Sequence, residues 1–473
     1  MKENFYQEDK HHLDELLRQY EDLKSGRNHH FIEEEAFEKI ISYFEEKEDM
    51  TSAREAVELA IEQFPYSAAL LVRKADLLLT ARKYDQALDI LEQASLYDSG
   101  DINIYILKTD ALLALDQQEK AVELLEDALQ RFEGEEQVEL LFELADVYDD
   151  YEEFDKVFDC LRMILEQDPA NEEALYKICF WTDFTGRNEE SIRLHRQIID
   201  EHPYNELAWF NLAAAYQGLK LYEKAIDAYQ YAVVIEEKFD YAYRNMGDAY
   251  IRLRKYKEAI EVLEKVTELS KPEMVIYEAI GHCYDKLKNF AQARFYYRKA
   301  SHLAQDDSKI FYKIATTYYN EGQWSGCMKQ LETAMRMSRN QPEYNLLMGK
   351  CKMELQQYRE AIQYFSVAVG ARPRNIAGWE ELLKCLLRGQ YFGEALEQAA
   401  IAFTATGEKP VFIFYKAAIL MCLGKSKEAA LLVEKGMEKA PRLLKKMTEL
   451  YPACLTHPRI LDIIARYKRN RSI

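Results

Sequence analysis

The residues ELAWFNLAAAYQGLKLYEKAIDAYQYAVVIEEKF (206–239) run directly into DYAYRNMGDAYIRLRKYKEAIEVLEKVTELSKP (240–272). In the first stretch Trp209, Leu212, Ala213 and Tyr216, then Tyr222, Ala225, Tyr229 and Ala232, recur at the spacing that lines apolar side chains along one helix face. Gln217, Gly218, Leu219 and Lys220 separate the two runs and read as a turn. The second stretch repeats the pattern 34 residues later with Tyr243, Met246, Gly247, Tyr250, Tyr256, Ala259, Leu263 and Val266. A helix, a turn and a helix are written twice, and self-similarity at this period signals a repeat architecture.

Carried backwards, the frame puts unit starts at Glu172, Val138, Ile102, Ala68 and Glu34. One step, from Ile102 to Val138, holds two extra residues, which the reading assigns to the acidic turn Phe132 to Glu136. Forwards, starts fall at Asp240, Met274, Ser308, Pro342, Ile376 and Pro410, giving twelve units with that at Glu206. Small side chains test the frame, because helices approach closely only where a small residue sits at the crossing. Ala53, Ala87, Ala121, Ala225, Ala259, Ala293, Ala361, Ala395 and Ala429 share the twentieth place, and Ala60, Ala94, Ala128, Ala232, Ala300, Ala334, Ala368 and Ala402 the twenty-seventh. Pro65, Pro169, Pro203, Pro373 and Pro441 stand at the thirty-second place, where proline stops the second helix. Gly186, Gly218, Gly322, Gly389 and Gly424 are assigned to turns inside units.

The period and the alternation of large and small places resemble the tetratricopeptide repeat, from Glu34 to about Leu443. The resemblance implies an all-α, right-handed superhelical solenoid of about twelve helix-turn-helix repeats, with first helices lining a concave face. The expected organisation is a capping helix over 1–33, the array over 34–443, and a capping segment with a basic tail over 444–473. Leu13, Leu16, Leu17, Tyr20 and Leu23 give the first segment an apolar helical stripe, and Ile460, Ile463, Ile464 and Tyr467 the last.

Chemistry is harder to find. The sequence holds no glycine-rich phosphate loop, no HExxH, CxxC or GxSxG motif, and too few residues outside the array for a separate catalytic core. Neither a cofactor nor a metal is expected: His11/His12 and His29/His30 are adjacent pairs that diverge on a helix, with no completing ligand. Eight scattered cysteines suggest neither a disulfide framework nor a zinc site, and point to a reducing, cytoplasmic setting. Cys283, Cys351 and Cys385 share the tenth place and read as small core residues. The longest apolar run, Ala417 to Leu423, is far short of the roughly 20 residues a membrane span needs.

What remains is binding. On the inward stripe of the first helices the early units supply acids such as Glu38, Asp76, Asp110 and Asp146, and the middle supplies Phe142, Tyr176, Phe180, Phe184, Phe210 and Tyr241. Later units supply Arg244, Arg252, Lys286, Lys309, Tyr312, Lys350, Lys384 and Arg388. Residues 1–240 carry 24 basic against 57 acidic residues, net −33, and residues 241–473 carry 38 against 25, net +13, which together return −20. The reading is a non-enzymatic protein-interaction scaffold. Phe180, Phe184, Phe210 and Tyr241 are its apolar anchors, and Arg244, Arg252, Lys286, Lys309, Tyr312 and Lys313 its polar contacts. Some tetratricopeptide-repeat proteins clamp a C-terminal carboxylate with Lys, Asn, Asn, Lys and Arg. The best window here offers Arg244, Asp248, Ala279, Lys309 and Lys313, which lacks both asparagines. The alternatives are a nucleic-acid or phosphate-binding regulator using the basic half, and a self-assembling structural protein joined head to tail.

Overall fold

The computed structural model describes residues 2–27, 31–271, 273–339 and 341–471, with the side chains of 2–12, 455 and 468–471 outside what is described. His29 and His30, the side chains of His11 and His12, and the end of the basic tail therefore lie outside the described residues. Among the described residues there is no strand. Helices follow one another in pairs, in two compact units, 1–237 and 238–473. The first unit opens with helix Lys2–Lys24 and continues as six pairs, from Glu34–Glu46 with Met50–Gln63 to Glu206–Gly218 with Tyr222–Ile235. The second holds six pairs, from Asp240–Arg252 with Tyr256–Leu269 to Val411–Cys422 with Ser426–Lys439, and ends in Leu444–Leu450 and Pro458–Arg471. Each unit is a solenoid of stacked helix-turn-helix pairs.

The small places are where the pairs close. Every alanine of the twentieth and twenty-seventh places is buried, as are their substitutes Val157, Ser191, Cys327, Ile164, Ile198, Val266 and Gly436. The eighth place is small in most units and faces the twenty-fourth: a Cβ added to Gly281 would lie 2.7 Å from the Tyr297 ring, and one on Gly349 2.7 Å from Phe365. Such a contact is far inside van der Waals distance, so a larger residue there would force the two helices apart. At the ends, Leu16 and Tyr20 are buried on the first pair, and Ile460 and Ile463 on the last, which covers apolar faces that would otherwise meet water.

Local chemistry sets the helix boundaries. Asn205 accepts the N–H of Ala208 at 2.9 Å, and Ser67, Asp101, Asn171, Asp307 and Asn375 cap their first helices likewise. Trp209 Nε1 donates to the Pro203 carbonyl at 2.9 Å and Trp379 Nε1 to that of Pro373 at 2.8 Å, so an aromatic of one pair is tied to the proline that ended the pair before.

One turn assignment is corrected: Gly218 still belongs to its helix, and a Cβ there would meet Asn188 Oδ1 at 2.2 Å. Gly389 lies in its turn as expected, with an ordinary right-handed φ of −78°. In the turn between the two helices of a unit the left-handed residue is the fifteenth, with φ between 57° and 75°, and there it is glycine only at Gly186, Gly322 and Gly424. Elsewhere Glu48, Arg82, Asp116, Glu152, Lys220, Arg254, Lys288, Gln356 and Gln390 adopt it. The hydrogen bond from the following N–H to the carbonyl five residues back, Leu221 to Tyr216 at 2.9 Å, closes the helix end and holds this conformation. A second correction concerns the extra residues before Val138. Helix Glu135–Asp150 begins three residues ahead of the frame, so part of the insertion is helix rather than loop.

Candidate interaction surface

In the first unit, helix Glu172–Thr185 buries Ala174, Leu175, Ile178 and Thr182 against its neighbours. Its other stripe, at intervals of one helical turn, is Tyr176, Phe180 and Phe184, exposed by 60%, 60% and 57%. These rings are organised. Phe180 stacks on Phe184 at 5.8 Å and meets Trp181 edge-on at 4.9 Å, while Phe184 packs edge-on against Phe154 at 4.8 Å. Phe154 in turn stacks on Trp181 at 5.3 Å. Four rings from two adjacent pairs thus hold one another in place while two of them stay largely in water. Pre-ordered, exposed aromatic surface of this kind is what anchors partners, because little side-chain entropy remains to be lost. Phe210 differs: it is half-buried against the fully buried Tyr229, ring centroids 5.6 Å apart.

Asp76, Asp110 and Asp146 occupy the same place as Phe180 on the three preceding first helices, Ala68–Thr80, Ile102–Ala114 and Glu135–Asp150. Loss of hydration and the Asp76 carboxylate hold the Asp110 carboxyl above the usual range, although its side chain still reaches water. Burial, then Asp110, Asp146 and Glu139, do the same to Glu143. Lys177 enters this row from the next first helix. Lys177 Nζ lies 2.9 Å from Glu173 and 3.7 Å from Asp146, over the ring of Phe142 at 5.0 Å. Beside Asp76 opens a cleft of about 470 Å³, lined by Glu38, Ser42, Leu70, Arg73, Asp101 and Asn103 among others.

The second unit treats its charges otherwise. Arg244 grips Glu273 with both terminal nitrogens, at 2.7 and 3.0 Å, and its guanidinium carbon lies 5.6 Å from the centre of the exposed Tyr241 ring. The bond holds the Glu273 carboxyl below the usual range. Lys313 pairs with Glu278, Lys350 with Glu381 at 3.6 Å, Arg388 with Glu354 at 3.2 Å, and Arg252 with Asp248 at 3.4 Å. Tyr312 stacks on Tyr344 at 5.1 Å, and burial pushes its phenol up. Lys286 and Lys309 are exposed. Of the three cations in the carboxylate-clamp window, Arg244 and Lys313 are therefore already engaged inside the chain.

Cys283, Cys351 and Cys385 are fully buried, and burial pushes the thiols of Cys283 and Cys385 up to about 12, the reverse of an activated nucleophile. Among the described residues no group of His, Cys, Asp or Glu could hold a metal ion, and no helix is long and apolar enough to cross a membrane. Sequence reasoning missed Phe154, Trp181 and Lys177 as parts of the surface. Phe154 comes from a second helix, and only packing shows that it reaches the first-helix stripe.

No curated protein matches the chain. Among solved structures it is similar to the C-terminal part of a tetratricopeptide-repeat protein from Cytophaga hutchinsonii, at 16% identity over 54% of this chain and 98% of that one, TM-score 0.42. A tetratricopeptide-repeat protein from Parabacteroides merdae gives 19% identity over 53% and 98%, TM-score 0.36. YrrB, described as a tetratricopeptide-repeat protein with an unusual peptide-binding site, gives 18% over 39% and 95%, TM-score 0.35. Two family models match: a tetratricopeptide repeat over residues 45–111, and the C-terminal ARM domain of tetratricopeptide repeat protein 21 over residues 188–347. These models fall on both units and on the helix pairs described above, and the stretches they match are built of tetratricopeptide-type repeats.

Proposed function

We propose that the protein is a non-enzymatic scaffold that holds a peptide segment of a partner protein on the first-helix face of its first unit. The observation that carries this is the exposed ring cluster, with Phe180 and Phe184 more than half in water yet fixed by Phe154 and Trp181. Tyr241 and Arg244, with Arg252, Lys286, Lys309, Tyr312 and Lys313, offer a second, more polar face on the other unit. The buried, unactivated thiols fit a reducing compartment such as the cytoplasm.

The test compares partners captured from lysate by the parent and by Phe180→Ala with Phe184→Ala. Truncating anchor aromatics weakens a complex by about tenfold or more, so the main partner should fall by that factor in the variant while the helical signal is kept. Equal recovery of the same partners by the folded variant would remove the aromatic face from consideration. Head-to-tail self-association is the second reading, favoured by the opposite signs of the two halves. Sedimentation should then show an assembly at low salt that is lost at high salt.

A further inference from the structure

We infer that the segment received by the ring cluster is basic, bearing arginine or lysine side chains that run along the Asp76, Asp110 and Asp146 row while an apolar residue sits on Phe180 and Phe184. This rests on the docking reading above and adds the partner's chemistry to it.

Three observations select that occupant. The ring cluster continues a column of carboxylates, since Phe180 takes the place that Asp76, Asp110 and Asp146 hold on the preceding first helices. The column is under-neutralised within the chain: Lys177 reaches only Asp146 at its near end, and Arg73 beside Asp76 is already bonded to Ser42 and Glu45. The carboxylates lie close enough to act on one another: burial first, and then neighbouring carboxylates, hold Asp110 and Glu143 above their usual range. Like charges kept side by side weaken the fold, and a basic ligand would relieve them. Exposed rings beside carboxylates suit guanidinium and ammonium groups twice over, through charge and through the ring face. Nucleic acid fits poorly, because the first 240 residues carry net −33. Spacing gives a further constraint. Helices pack about 8–10 Å apart and an extended chain advances about 3.3 Å per residue, so one cation at every third residue keeps step with the column.

The probe is a short fluorescent peptide with arginine at every third position and leucine and serine between, compared with one carrying glutamate in place of arginine. Full-length protein should bind the arginine peptide and not the glutamate peptide. Asp76→Asn with Asp110→Asn should weaken it about tenfold at low salt, with a thermal midpoint no lower than the parent's. Asp89→Asn with Asp127→Asn makes the same change of net charge on exposed second-helix positions and should leave affinity within about twofold. Phe180→Ala with Phe184→Ala should weaken binding at every salt concentration. The inference is overturned if the arginine peptide does not bind, if the glutamate peptide binds as well, or if the two asparagine pairs act alike. In those cases the docking reading stands or falls separately, on whether the phenylalanine variant still loses the captured partner.

Discussion

The two units use one scaffold and treat charge on their first helices in opposite ways. In the second unit several first-helix cations are paired within the chain, Arg244 with Glu273, Lys313 with Glu278, Lys350 with Glu381 and Arg388 with Glu354, while Lys286 and Lys309 stay exposed. In the first unit Asp76, Asp110, Glu143 and Asp146 stand next to one another with Lys177 as their cation. A charge paired within the chain stabilises the fold a little and is less available to a ligand, whereas an unpaired one does the reverse. Net charge alone would have called both faces binding surfaces of opposite sign. The contacts show that the first-helix carboxylates Asp76, Asp110 and Asp146 meet fewer ion-pair partners than Arg244, Lys313, Lys350 and Arg388 do.

The scaffold should behave alike in both units, and the largest effect tests that. Ala225 and Ala259 occupy the same crossing place on either side and are fully buried. Ala225→Arg and Ala259→Arg should each cost several kcal/mol, on the order of 3 or more, because each overfills a crossing and buries an unpaired charge. Lys220→Ala is the control. Lys220 is exposed with φ 61°, and alanine meets the same left-handed strain as lysine, so the change should be within about 0.5 kcal/mol. Thermal melts read all three, and a cost confined to one unit would break the equivalence on which the comparison rests.

The repeat frame was legible because it is enforced at every unit: crossings admit only small residues, and Ala53 to Ala429 announce the period without any structure. The turns were less legible. The left-handed fifteenth place tolerates Glu, Arg, Asp, Lys and Gln, since the backbone bond that closes the helix end supports it whatever the side chain, and Gly218 was misleading because it serves close packing against Asn188. For the candidate surface, exposure of Phe180 and Phe184 followed from their place on the stripe. Half-burial of Phe210 against Tyr229, and the pairing of Arg244 and Lys313, depend on residues about twenty to thirty-five positions away and could not be read locally.

A buried histidine gives the first unit a dependence on acid. His195 is fully buried; its Nδ1–H donates to the Ser191 carbonyl at 2.8 Å, and its Nε2 meets no hydrogen-bonding group among the described residues. Burial brings its pKa down to about 4 from an ordinary value of 6.5. The unfolded chain therefore takes up a proton that the folded chain refuses, so stability present above the unfolded value is lost as pH falls from about 6.5 towards 4, by on the order of 3 kcal/mol. Asp110 and Glu143 act in the other direction: their folded values are raised, so their protonation adds stability as pH falls through them. His195→Leu removes the first contribution and leaves the second. Urea midpoints at neutral pH and at about pH 4.5 should converge in the variant and separate in the parent. An unchanged pH dependence in His195→Leu would show that the imidazole is not what the acid attacks.

The smallest effects bear most directly on the contrast between the units, because they should differ in sign. Arg244→Ala leaves Glu273 without the guanidinium that holds its carboxyl low and takes the cation from the face of Tyr241. Arg244 is largely covered and grips with two nitrogens, so the loss should reach about 1 kcal/mol rather than the near-zero cost of most surface pairs. Glu143→Gln removes one member of a crowded row while keeping the shape of the side chain, and should leave stability unchanged or raise it by up to about 0.5 kcal/mol. Salt sharpens the distinction. Screening weakens attraction in the second unit and repulsion in the first, so added salt should shrink both differences towards zero. Matched melts of the two variants and the parent at low and high salt measure this. If Glu143→Gln destabilised the chain as much as Arg244→Ala does, the acidic row would be a structural network like its counterpart, and its carboxylates would be needed by the fold rather than left over for a basic partner.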